Sequence, residues 1–343
     1  MALVPLPSDP PNHPWPTLTW AAAEMDGGDA ERLDQALDRA FDRNPNRELA
    51  LTLAVVVVQH GRIVAERYAP AVGAATPLIS WSLAKSVTHA ALGIAYLKGL
   101  IDLDATPVAP EWSGAEDPRG AIRFTDLLAM RSGLEFNEDY VDDSTSHCLE
   151  MLFGSGAADM AHFAASQALI KPIDEHFNYS SGTTNIISRA IGESIGGGSE
   201  SMARFLRDEL FDPIGMTSAD PRFDQAGTWV GSSYLYATAR DFARFGELIL
   251  RDGVWDGRRI LPEGWIDAAR VPRSTDEEDG SLYGLHWWLE NDDLGTFSAN
   301  GYEGQRIVIV PALDLVFVRL GKTPATHGDA VTRYCRDVVN AFR

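Results

Sequence analysis

Apolar residues at Leu83, Val87, Ala90, Ile94 and Leu97 recur in steps of four, three, four and three. That spacing predicts a helix opening at Ser82 with one buried face, stopped by Lys98-Gly99. Leu33, Leu37 and Phe41 place a second amphipathic helix over Asp29–Phe41. Leu51–Gln59 is unbroken in Val and reads as a strand buried on both faces. His60-Gly61 turns it, and Ile63–Tyr68 returns as its hairpin partner. Helical signals dominate from Ser82 to about Ala269: a helix from a Thr125 cap to Met130, another over Ser201–Phe211, and one capped by Thr238 that stops at Gly253. Pro262 opens a further helix.

Strand character resumes at Leu282–Leu289, Gly295–Ala299, Arg306–Val310 and Leu315–Leu320, before a closing helix over Asp329–Phe342. The first twenty residues are rich in Pro and are expected to lie extended on the surface. The chain therefore reads as α+β, an antiparallel sheet from both ends with terminal helices packed on it. Residues 1–76 and 276–343 make the sheet region, 77–275 a mostly helical region, with the active site between them.

Composition is that of a globular chain, 45% hydrophobic and 23% charged over 343 residues. A formal net charge of −20 argues against nucleic acid or an anionic membrane as partner. Cys148 and Cys335 form no framework, and the His residues show no ligand spacing, so neither metal nor cofactor is expected. No signal peptide is visible, and the longest apolar run is too short to span a bilayer, so a cytoplasmic location is expected. Nothing fixes the oligomeric state; a homodimer stays open.

The chemistry lies at the start of the first helix. Ser82 and Lys85 sit one turn apart on one face and can touch. A serine hydroxyl needs a base to become a nucleophile, and a helix N-terminus favours negative charge developing on its oxygen. The pair therefore suits acyl transfer through an acyl-serine.

Three stretches together resemble the serine β-lactamase and penicillin-binding-protein superfamily in its class C-like branch. They are Ser82-Leu83-Ala84-Lys85, matching S-x-x-K, then Tyr179-Ser180-Ser181, then Ala299-Asn300-Gly301-Tyr302-Glu303-Gly304-Gln305. Leu127–Leu134, Asp212–Met216 and Arg240–Gly246 support the likeness. Asn137-Glu138-Asp139-Tyr140 is most similar to nylon-oligomer (aminohexanoate-dimer) hydrolases and related family VIII-type carboxylesterases.

The resemblance implies Ser82 as nucleophile, Lys85 with Tyr179 as coupled base, and the Ser82 and Tyr302 backbone N–H groups as oxyanion hole. It also implies that Tyr140 closes over the bound amide, and that Asn300 and Gly301 line the substrate site. Trp81, Tyr283, Trp287 and Trp288 are candidate walls of an apolar pocket. Glu138 and Asp139 are either solvated loop charges or a grip for a substrate ammonium.

Two departures separate the chain from β-lactamases. Ala299 stands where they carry a cation, and Ser181 where they carry an Asn. Arg306, on the next strand, is a candidate replacement for the cation. The expected function is a serine hydrolase of small esters or amides. β-Lactamase or D-amino-acid peptidase activity is the alternative within the fold, and a non-catalytic binding or assembly role the alternative outside enzymology. No G-x-S-x-G elbow or phosphate loop is present.

Overall fold

A computed structural model describes residues 3–8, 15–42, 48–140 and 146–343. Helix α1 (Ala30–Ala40) leads into the hairpin β1 (Leu51–Gln59) and β2 (Arg62–Tyr68). A short strand β3 (Leu78–Ile79) precedes helix α2 (Leu83–Leu97). The helical part then runs α3 (Phe124–Leu128), α4 (His147–Phe153), α5 (Met160–Ala165), α6 (Ser181–Ser194), α7 (Ser199–Leu206) and α8 (Asp212–Ile214). Strands β4 (Asp220–Pro221) and β5 (Leu235–Ala237) lead to α9 (Ala239–Leu250), the small hairpin β6 (Val254–Trp255) and β7 (Arg258–Arg259), and α10 (Trp265–Ala269). The chain closes with β8 (Ser274–Thr275), β9 (Leu282–Tyr283), β10 (Trp288–Leu289), β11 (Phe297–Gly301), β12 (Gln305–Val310), β13 (Leu315–Lys322) and α11 (Gly328–Asn340).

Eight strands form one sheet in the order β2-β1-β13-β12-β11-β10-β9-β8, antiparallel throughout. The Val run of β1 is explained by cover on both sides. Val55 and Val57 join the core made with Leu33, Leu37, Phe317 and Val338, under α1 and α11. Val56 and Val58 face the larger core with Leu92, Phe245 and Val316. A strand buried on both faces has no polar side to alternate with.

Four sequence expectations need correction. Leu282–Leu289 is not one strand but the two-residue strands β9 and β10, folded back so that Gly284 N–H donates to the Trp287 carbonyl at 2.9 Å. A Cβ on Gly284 would stand 1.9 Å from the Ala269 carbonyl oxygen, so only glycine allows this approach. Ser201–Phe211 is not a single helix: α7 widens into a π-helical turn over Arg207–Phe211 and stops at Gly215, whose φ is 77°. Thr125 lies inside α3, whose N-cap is Arg123, with Asp126 accepting from the Arg123 backbone N–H. In the N-terminal stretch, 1, 2 and 9–14 lie outside the described residues. The remainder is pinned rather than simply laid down, with the Pro16 carbonyl accepting from Arg244 and Thr17 Oγ1 from Trp255 Nε1. Among the described residues no helix is long and apolar enough to cross a membrane.

Candidate active site

β3 pairs with β5, and Ser80 continues that pairing, its N–H donating to the Leu235 carbonyl at 2.8 Å. Its buried hydroxyl bonds the Ser233 and Trp81 carbonyls, fixing the turn into α2. Trp81 then takes φ of 45°, a conformation rare for a bulky side chain, immediately before Ser82. Its neighbour Gly301 comes so close that a Cβ would lie 2.5 Å from the Ser80 carbonyl oxygen. The end of β11 therefore presses against the start of α2. Outside the regular helix and strand ladders, neither the Ser82 nor the Tyr302 N–H donates a backbone hydrogen bond among the described residues.

Lys85 is almost wholly buried and donates to Ser82 Oγ at 2.9 Å, Ser181 Oγ at 2.9 Å and the Ser232 carbonyl at 3.2 Å. Three acceptors match the three protons of an ammonium. The same Nζ lies 4.8 Å from the centre of the Tyr179 ring. Burial holds the Tyr179 phenol above its ordinary range, while Lys85 and the hydrogen-bond interactions with Ser82 and Lys85 pull the other way. Tyr179 immediately precedes Ser180, which caps α6 by accepting from the Thr183 N–H at 3.2 Å.

Sequence reasoning missed the role of Glu138. It is neither a solvated loop charge nor a free grip for an ammonium. Its carboxylate accepts from the Ser181 N–H at 2.7 Å, from Ser181 Oγ, and from the Tyr140 hydroxyl at 2.8 Å. It reaches to 4.0 Å from Lys85 Nζ. The first N–H of α6 and its dipole thus stabilise an anion beside the buried lysine. Ser181, read from sequence only as a lost Asn, links Lys85 to Glu138. The Asp139 N–H bonds Asn137 Oδ1 at 3.2 Å.

Ser82, Tyr179, Glu138, Tyr140, Asn300, Gly301 and Tyr302 line one cavity of about 810 Å³. Tyr140 packs on the Tyr302 ring at 4.9 Å. Trp288 walls the cavity beside Tyr179, with ring centres 5.5 Å apart. Trp287 does not belong to the pocket: it is 0% exposed, stacked on Phe245 at 6.3 Å and edge-on to Phe297 at 5.2 Å. Successive residues of a strand face opposite sides, and the β9–β10 turn gives the inner face to position 287. Tyr283 sits behind the wall, buried against Tyr179 and Trp288. Trp81 flanks the site, between the Tyr302 and Tyr234 rings. Ala299 turns into the core and offers the cavity nothing.

A family model described as Beta-lactamase matches residues 37–338. A 6-aminohexanoate-dimer hydrolase of Paenarthrobacter ureafaciens is 27% identical over 314 residues, spanning 85% of this chain and 78% of that protein. A provisionally assigned 6-aminohexanoate-dimer hydrolase from Bacillus anthracis has a structure similar to this one at TM-score 0.77 and 22% identity, covering 98% of this chain and 89% of its own. EstCE1, a hydrolase with promiscuous acyltransferase activity, is similar at TM-score 0.70 and 15% identity, covering 91% and 98% of the two chains. With the family model spanning nearly the whole sequence and the fold shared by these structures, the chain belongs to the β-lactamase family.

Proposed function

We propose that the chain is a serine hydrolase that cleaves small ester or amide substrates through an acyl-serine intermediate. One observation carries this reading: Ser82 Oγ lies 2.9 Å from a buried Lys85 Nζ, in a cavity shared with Tyr179 and Tyr302. A binding protein has no need to bury a lysine among three acceptors beside a serine that lines a cavity. The likeness to an amide hydrolase and to EstCE1 supports the same reaction class.

In this reading Lys85 commits its three protons to its three acceptors, and Ser82 directs its own proton to Tyr179. Burial keeps the phenol protonated before substrate arrives, so Tyr179 works as a relay. As Ser82 Oγ bonds to the carbonyl carbon, its proton passes to Tyr179 Oη, and the phenol's proton passes to the departing nitrogen or oxygen. The Ser82 and Tyr302 N–H groups hold the negative carbonyl oxygen until the C=O re-forms and the leaving group's bond breaks. Water then attacks the acyl-serine by the reverse relay, returning a proton to Ser82. Lys85 stabilises any charge that gathers on the phenol, and the proton belongs to the pair rather than to either residue. Tyr140, held by Glu138 over Tyr302, closes over the bound group.

A fluorophosphonate probe followed by peptide mapping tests the assignment. Labelling at Ser82, with loss of labelling and of p-nitrophenyl ester turnover in Ser82→Ala, is the expected result. Turnover that persists in that variant removes Ser82 from the mechanism. Because Ala299 supplies no cation, a chromogenic β-lactam is expected to be turned over far more slowly than short esters.

A further inference from the structure

The three acceptors around Lys85 Nζ are not alike. The Ser181 hydroxyl gives its own proton to Glu138, so toward Lys85 it can only accept. The Ser232 oxygen is a carbonyl and never donates. The Ser82 hydroxyl can take either role. Ser181 and Ser232 are both buried, and a buried acceptor left bare is costly. When Lys85 carries two protons rather than three, those two therefore stay with Ser181 and Ser232. The lone pair then faces Ser82 Oγ.

The Ser232 carbonyl belongs to no helix or strand but to a buried turn, so the groups packed around that turn must aim it. Helix α6 supplies the one nearest to it. Asn185 stands one turn beyond Ser181 on the same face of α6. Its Oδ1 accepts from the Ser232 N–H at 3.2 Å, and its Nδ2 is turned to Met151 Sδ at 3.6 Å, which fixes the amide's orientation. Ser188 of α6 donates to the Trp229 carbonyl at 2.7 Å, and Thr88 of α2 to the Gly231 carbonyl at 2.9 Å. Those two bonds hold the entry to the turn, whereas Asn185 holds the residue whose carbonyl meets Lys85. Asn185 is fully buried and does not line the catalytic cavity.

We infer that Asn185 is a positioning residue for the reaction: through the Ser232 N–H it aims the Ser232 carbonyl at Lys85, so that the position on Nζ that gains and loses a proton is the one facing Ser82. The assignment rests on the hydrolase reading and adds a direction to it. With three protons, Nζ donates to Ser82 Oγ; with two, the Ser82 O–H donates to the Nζ lone pair, and the other two N–H bonds stay as they are. Without Asn185 the Ser232 carbonyl drifts, and the bare position on Nζ is free to turn away from Ser82. Asn185 touches no substrate, so its loss should slow the chemical step and leave binding unchanged.

The test compares Asn185→Ala with Ser188→Ala in the full chain. Each removes one side-chain bond to the same buried stretch, so denaturant unfolding should show a similar loss of stability in both. The probe is a fluorophosphonate, whose fluoride leaves as Ser82 Oγ bonds to phosphorus. Saturation kinetics separates how tightly the probe is held from how fast that bond forms. Asn185→Ala is expected to slow bond formation about tenfold with holding unchanged, while Ser188→Ala keeps both. Asn185→Asp, which keeps an oxygen for the Ser232 N–H, should recover most of the rate. Bond formation in Asn185→Ala as fast as in Ser188→Ala, or a loss that falls on holding, overturns the assignment. Should Asn185→Ala fail to fold, Asn185→Asp decides: its rate should stay within about threefold of the unmutated chain's, and a larger loss overturns the assignment. An unmutated chain that is not labelled at Ser82 removes the hydrolase reading and the assignment with it. Labelling at Ser82 that is indifferent to Asn185 removes the assignment alone.

Discussion

Trp81 Nε1 donates to Glu303 Oε2 at 3.2 Å, joining two residues 222 positions apart, each in a left-handed backbone conformation. Trp81 precedes Ser82 and Glu303 follows Tyr302, so the bond ties together the two segments that supply the proposed oxyanion donors. Arg319 supports the second segment from beneath through the Glu303 and Gly304 carbonyls, at 3.1 Å and 2.8 Å. Backbone in these regions persists only where its surroundings over-determine it.

Cutting this tie should misplace the donors without emptying the cleft. Trp81→Phe and Glu303→Ala are each expected to lower kcat about tenfold with KM nearly unchanged. The double variant should lose less than the product of the two, as a shared interaction requires. Steady-state kinetics on a p-nitrophenyl ester measures all three; strictly multiplicative losses would show that the residues act separately.

Gly301→Ala places a Cβ against the Ser80 carbonyl and must push β11 away from α2. A displacement of that size should cost about a hundredfold in kcat/KM, with the circular dichroism spectrum retained. Gly192→Ala on α6 is the control: nothing lies within 4 Å of the new methyl, and a helix gains from alanine. Its rate should be unchanged and its melting temperature equal or higher.

Glu138→Ala leaves the Ser181 N–H, Ser181 Oγ and Tyr140 hydroxyl without their acceptor. Such buried groups cost about 2 kcal/mol to strand, and denaturant unfolding should show a loss of that order. Activity should fall beyond what stability explains, because Lys85 loses its nearby anion and Tyr140 its anchor. Glu138→Gln, which keeps an acceptor but not the charge, should recover stability more than rate.

Acid should destabilise the protein through two buried histidines. His286 lies under the site, its Nδ1 donating to the Leu128 carbonyl and its Nε2 accepting from Thr184 Oγ1. Burial lowers its pKa to about 3 from an ordinary 6.5, and burial holds His89 well below 6.5 too. Between those values the unfolded chain binds protons that the folded chain refuses. Stability is therefore full above pH 6.5 and falls as pH drops toward 3. Melting temperatures across that range should decline, and less steeply in a variant with a neutral polar residue at 286.

Ser82–Lys85 was legible because both members lie on one helical turn, where spacing alone fixes contact. The Val run of β1 was legible for a similar local reason. Trp287 was misassigned because its facing depends on a parity that the Gly284 turn resets, one residue being enough to exchange wall for core. Glu138 was misread because its partner Ser181 is 43 residues away and no periodicity connects them.

By itself, then, the sequence determined the elements whose interactions are short in range: the contact of Ser82 with Lys85, the doubly buried strand, the terminal helices and the order of the three motifs. Tertiary structure alone decided that Glu138 accepts the first N–H of α6 beside Lys85, that Trp81 meets Glu303, and that Arg306 reaches the cleft from the far face of the sheet. The reason is physical. Helix and strand periodicity fix neighbours a turn or a residue apart, whereas these contacts exist only once chain closure has brought α2, α6 and β11 together.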